Sequence, residues 1–209
     1  MQKILAAVLV LLSSCVFAQK RYLGVEAGVN MAHQNLSGVP PSGAVQGMGT
    51  QFYSVALPQA GIFYHCDLSA AFAARLGARY SVLGFGNQNG PRVVVNYFTI
   101  PLNIHVRLGK SFSVSAGSYV SFTINNTTFA VPSTYFYRYD PITDWYHKND
   151  FGLLSGVEFK PGRRFHIAVS YLLGTKNIWL KDNGGTYKFT NRALQLALIY
   201  KFVSPKAPQ

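Results

Sequence analysis

Charge is what this sequence has least of: 12% of its 209 residues are Asp, Glu, Lys or Arg, about half the roughly 25% of soluble domains. Acidic residues are scarcest, 7 against 19 Lys+Arg, which leaves a net charge of +12. Apolar residues do not fill the deficit, because their share is an ordinary 49%. Uncharged Ser, Thr, Asn, Gln, Gly and Tyr stand where a water-facing surface would carry Lys and Glu. With 13 Tyr, 15 Phe and 2 Trp, the composition excludes intrinsic disorder. No apolar run of 18 residues follows the first 18 positions, which excludes a helical membrane bundle. The basic residues form no cluster longer than Gln19-Lys20-Arg21 or Gly162-Arg163-Arg164, so nucleic acid is not an expected partner.

What is present begins with a leader. Lys3, the apolar run Ile4 to Leu12, and Ser13-Ser14-Cys15-Val16-Phe17-Ala18 before Gln19 have the three regions of a secretory signal peptide. Residues 1–18 are therefore expected to be removed, residues 19–202 to form one domain and residues 203–209 a short C-terminal tail. Leu12-Ser13-Ser14-Cys15 also has the form of a lipobox, which leaves two fates for Cys15: acylation, or loss with the leader.

The remainder alternates with period 2. From Tyr97 to Leu108, Phe98, Ile100, Leu102, Ile104, Val106 and Leu108 share one face, while Tyr97, Thr99, Pro101, Asn103, His105 and Arg107 share the other. Similar alternation at 22–31, 52–65, 70–83, 112–124, 150–160, 164–173 and 193–202 brings the count to eight segments, the second weakly phased around Pro58 and Gly61. The connections alternate too. Cys66-Asp67-Leu68-Ser69, Gly109-Lys110-Ser111 and Pro161-Gly162 are tight turns, whereas 32–51, 84–91, 125–149 and 174–189 are long. Short turns at one end and long loops at the other predict an eight-stranded antiparallel transmembrane β-barrel with short periplasmic turns and long extracellular loops. A soluble barrel would bury the apolar faces instead. The opposite faces carry Glu26, Arg75, Arg79, His105, Arg107, Glu158, Arg164 and Lys201, which an apolar interior would not tolerate and a polar lumen can pair.

Several runs carry a family likeness: Tyr97-Phe98-Thr99-Ile100-Pro101-Leu102, Gly109 to Tyr119, Asp150 to Phe159, Tyr171 to Ile178, and Leu194-Gln195-Leu196-Ala197-Leu198-Ile199-Tyr200-Lys201-Phe202. In these the chain resembles the outer-membrane protein β-barrel domain family of Bacteroidota, the group that includes PorT-like proteins. The resemblance implies a non-enzymatic outer-membrane protein in contact with membrane lipid and with envelope or secretion-system proteins.

The eight inward charges are expected to form a lumen network, Glu26 meeting the Arg75/Arg79 pair and Arg107, Glu158, Arg164 and Lys201 lying at the periplasmic strand ends. An eight-stranded barrel is just wide enough to be filled by its own side chains, so a plug is the leading expectation and a narrow anion-preferring path the alternative. An enzyme would need a histidine with an acidic partner at the outer rim. Asp144, His147 and Asp150 are the nearest set, and no serine nucleophile accompanies them. The five histidines lie in different segments without ligand spacing, so neither a metal nor another cofactor is expected. Tyr135, Phe136, Tyr137, Tyr139, Trp145 and Tyr146 gather in the third long loop as a girdle, a loop packed over the barrel mouth, or a contact surface for a partner.

Overall fold

The computed structural model describes residues 21–37, 52–87, 92–129, 147–178 and 188–202. The leader with Cys15, the loop aromatics Tyr135 to Tyr146, Asp144 and the tail 203–209 lie outside the described residues. The elements are β1 (Arg21–Ser37), β2 (Phe52–Tyr53), β3 (Val55–Asp67), β4 (Phe72–Asn87), β5 (Arg92–Leu108), β6 (Phe112–Phe129), β7 (Asn149–Phe159), β8 (Phe165–Gly174) and β9 (Lys188–Lys201).

All pairings are antiparallel: β1 pairs with β3 and β9, β2 and β3 both pair with β4, and from β4 to β9 each strand pairs with the next, which closes the ring. With β2 and β3 as one strand interrupted at Ser54, eight strands close the barrel. Closure leaves no free edge, so every strand can satisfy its backbone in a medium without water.

Alternation sorts the residues as the sequence implies. Phe98, Ile100 and Leu108 are exposed, while Tyr97, Thr99 and His105 are buried. Leu194, Leu196 and Leu198 are likewise exposed and Ala193, Gln195 and Ala197 buried. The wall is thus apolar outside and mostly polar inside, suited to hydrocarbon around it.

Two features depart from the sequence expectations. The first is strand length: β1, β4 and β6 run to Ser37, Asn87 and Phe129, and β5 and β9 start at Arg92 and Lys188. Backbone pairing thus takes over much of what reads as long loop. A span needs only about 9–11 residues, whereas β1 and β5 have 17 and β6 has 18. Beyond the bilayer the outer face need not be apolar, so the alternation fades while the ladder continues.

The second is a bulge. The β3–β4 register stops at Gln59↔Ser81, and β2–β4 resumes at Tyr53↔Gly86, so Ser54 to Pro58 stand opposite Val82 to Phe85. Five residues face four, with Pro58 opposite Val82. Proline has no N–H to donate, and the Val82 carbonyl instead accepts from Asn30 Nδ2 on β1 at 3.0 Å. Gln195 Nε2 donates to Asn30 Oδ1 at 2.9 Å and fixes the amide's orientation.

The short turns keep the opposite end compact. Ser69 Oγ accepts from the amides of Ala71 and Phe72. Gly109 starts the next turn at φ +78°, a conformation that suits glycine.

Candidate functional site

Among the described residues the barrel interior gathers buried polar and charged side chains, and it is layered. At the middle, Arg79 Nε donates to Glu26 Oε1 at 2.6 Å, and Arg79 Nη1 donates to Gln59 Oε1 and Gln195 Oε1, both at 3.0 Å. Nearer the short-turn end, Arg75 Nη2 donates to Glu158 Oε2 at 2.6 Å, and the other carboxylate oxygen of Glu158 meets His166 Nδ1. His105 Nδ1 lies 3.9 Å from Glu158. Each of these charges is buried, and each is paired, as an interior of this kind requires.

The two arginines of β4 take different partners. Arg75 and Arg79 share a face of β4 but sit four residues apart, about 13 Å along a strand at roughly 3.3 Å per residue. Glu26 therefore serves only Arg79, and Arg75 turns to Glu158. Glu158 stands next to last in β7, at the short-turn end, and is buried there, 3% exposed.

The remaining predicted charges stay at the mouth or outside it. Arg107 is half-buried, pairs with Asp67 and donates to the carbonyls of Ser69 and Ala70. Lys201 stands 4.3 Å over the Tyr22 ring. Arg164 is exposed in the turn before β8. It precedes the first paired residue, so strand alternation does not set its direction, and it does not join the lumen set.

Sequence reasoning missed several interior groups. His65 Nε2 lies 3.1 Å from Asp67 Oδ1 and its ring stacks on Tyr22 at 4.5 Å; two residues apart on one strand, the pair was legible from period 2 alone. Asp150 is 1% exposed, accepting from Tyr119 OH at 3.0 Å and Asn191 Nδ2 at 2.9 Å. Those partners come from β6 and β9, and nothing in the sequence points to them. Above this layer Leu57, Leu83, Phe85, Val93, Val95, Leu154, Leu172, Ile178 and Phe189 belong to one buried apolar cluster. The polar lumen thus has an apolar cap at its long-loop end.

A cavity of about 40 Å³ lies between the two ion pairs, bordered by Glu26, Gln59, Arg75, Asn103, His105 and Glu158. A buried water needs roughly 10–15 Å³, so this space suits a few waters and no solute stream. Among the described residues no His, Cys, Asp and Glu side chains group in threes to hold a metal ion.

Of the rim set, Asp144 lies outside the described residues. Asp150 points into the lumen, while His147 is tied by its backbone, its N–H donating to Ile178 O at 2.8 Å and its carbonyl accepting from Thr123 Oγ1 at 3.2 Å. Partial burial, then the nearby Lys176 charge, hold His147 below the ordinary histidine range. Ser113 faces Glu158 across the β6–β7 register, but it is 0% exposed, beyond the reach of a substrate.

A family model described as outer membrane protein beta-barrel domain matches residues 4–202. No curated protein matches the chain in sequence. Among solved structures the chain is similar to Ail, the attachment invasion locus protein of Yersinia pestis, in complex with the heparin analogue sucrose octasulfate, at 13% identity and TM-score 0.46, covering 88% of this chain and 100% of that one. It is also similar to Neisserial surface protein A, at 11% identity and TM-score 0.49, covering 88% and 100%. A third is the outer membrane protein OprG from Pseudomonas aeruginosa, at 11% identity and TM-score 0.49, covering 90% and 98%.

Proposed function

The chain belongs to the outer membrane protein beta-barrel domain family, and from that premise we propose that it is a non-conducting, non-enzymatic scaffold of the bacterial outer membrane that works through contacts at its two ends. The observation that carries this reading is the filled lumen: two buried ion pairs and an apolar cap occupy the space a pore would need.

In this reading the parts that act are the ends. On the outer side the aromatics Tyr135, Phe136, Tyr137, Tyr139, Trp145 and Tyr146 supply a surface of the kind proteins recognise. On the periplasmic side the turns and the tail after Phe202 face envelope proteins, and a PorT-like place in a secretion assembly fits both ends. Residues 1–18 act as the leader in this proposal. Photo-crosslinkers placed at Tyr137, Trp145 and Pro205 in whole cells test it. Reproducible envelope-protein adducts at one end support the reading, and adducts to lipid alone at all three positions refute it.

A further inference from the structure

Several cations of the short-turn end lie in neighbouring turns. Lys110 lies in the β5–β6 turn, Lys160 follows β7, and Arg163 and Arg164 lie in the β7–β8 turn. The backbone binds these turns into one arc, since Lys160 N donates to Ser111 O at 2.7 Å and Lys201 N to Arg164 O at 2.9 Å. Among the described residues the carboxylates at this end are Asp67 and Glu158. Both are already engaged, Asp67 by His65 and Arg107 and Glu158 by Arg75 and His166. The arc is thus an excess of positive charge that no carboxylate among the described residues neutralises. Half-burial, and then the cations Arg107 and Arg75, hold Lys160 below the ordinary lysine range, with Glu158 opposing them.

The same arc carries a row of aromatic side chains on the outer wall. Phe112 meets Phe159 at 5.0 Å, Phe165 meets Tyr200 at 5.0 Å, and Tyr200 meets Phe202 at 5.4 Å. Phe112, Phe159, Phe165 and Phe202 are exposed, and outward aromatics at a strand end mark the level where hydrocarbon gives way to headgroups. Lys110, Arg163 and Arg164 stand one or two residues from Phe112 and Phe165 on the turn side, the side on which headgroups follow hydrocarbon.

We propose that this arc, under the ends of β6 to β9, is a binding site for anionic phospholipid of the periplasmic leaflet, the acyl chains lying on the aromatic row and the phosphate on Lys110, Arg163 and Arg164. The charge complementarity and the shared depth of ring and cation favour a lipid over a soluble acid, which would have no use for the aromatic row. The site adds a ligand to the proposed scaffold and does not depend on whether the scaffold has protein partners.

Native mass spectrometry of the full mature barrel, released from bilayers of equal phosphatidylglycerol and phosphatidylethanolamine, tests this. The wild type is expected to retain phosphatidylglycerol in excess. A basic residue near an anionic surface changes the preference on the order of fivefold, so Lys110→Gln/Arg163→Gln/Arg164→Gln should abolish the excess while Lys148→Gln, at the other end, keeps it. Raising salt from about 0.05 to about 0.5 M should also release phosphatidylglycerol first from the wild type, a readout that needs no variant to fold. Equal retention of the two lipids, or an excess that survives the triple substitution, would overturn the proposal. So would polyglutamate displacing the lipid from detergent-held barrel at an equal concentration of charge, which would make the site one for a soluble acid.

Discussion

Replacing Arg79 by methionine removes one member of the mid-lumen pair and leaves Glu26 buried at 7% exposure without a cation. At a charge separation of roughly 4 Å and an effective dielectric constant of about 20, the lost attraction is ~4 kcal/mol. Removing one partner of a buried pair costs about 3–5 kcal/mol in general, so both routes give the same size. Glu26→Leu should cost less, about 2–4 kcal/mol, because Arg79 keeps its bonds to Gln59 and Gln195. The double variant leaves no unpaired charge and approximates the original volume. It should lie within about 1–2 kcal/mol of the wild type, a coupling of roughly 3 kcal/mol or more. Equilibrium urea unfolding of the barrel in phospholipid vesicles, followed by tryptophan emission and by the folded fraction on unheated gels, measures all four corners. If the two single losses add in the double variant to within about 0.5 kcal/mol, Glu26 and Arg79 are not a lumen pair and the layered interior is wrong.

Three further perturbations probe other links. Asn30→Ala leaves the Val82 carbonyl opposite Pro58 without a donor, so it should cost about 1–3 kcal/mol; hydrogen exchange should rise at Leu83 to Phe85 and stay unchanged along the β5–β6 ladder. A Cβ on Gly28 would stand 2.0 Å from the Leu196 carbonyl oxygen. Gly28→Ala should therefore destabilise by about 1–3 kcal/mol in the same unfolding assay, and a neutral result would mean that β1 and β9 are further apart than described. Leu196→Arg, at mid-strand on the outer face, should cost about 2–4 kcal/mol in vesicles, and Leu108→Arg at the turn about 0–1 kcal/mol; equal costs would contradict the assignment of the apolar face to lipid.

The wall of this protein was legible because alternation is a local property: Phe98 and Thr99 take opposite sides whatever the rest of the chain does. The tight turns at Gly109 and Pro161 could be read for the same reason. Interior partners follow from the stagger between strands far apart in sequence. That Glu158 meets Arg75, 83 residues earlier, depends on how several strands slide along one another to close the ring, which no single strand encodes. The weak phasing around Pro58 was a true signal whose meaning, a bulge latched by Asn30, needed the neighbouring strands. The apolar cap was hidden for another reason. Val93, Val94 and Val95 are all buried, on both sides of the wall, so alternation carries no information there.

The account turns on a lumen closed by its own side chains, and single-channel recording on planar bilayers of the refolded mature barrel tests that directly. The wild type should give a silent membrane, and so should Arg75→Ala/Arg79→Ala, which empties both layers around the 40 Å³ cavity but leaves the apolar cap in place, where the variant remains folded by gel shift. Resolved steps of uniform size from the wild type itself would show that ions pass the paired layers and the apolar cap, and would contradict the closed-barrel account.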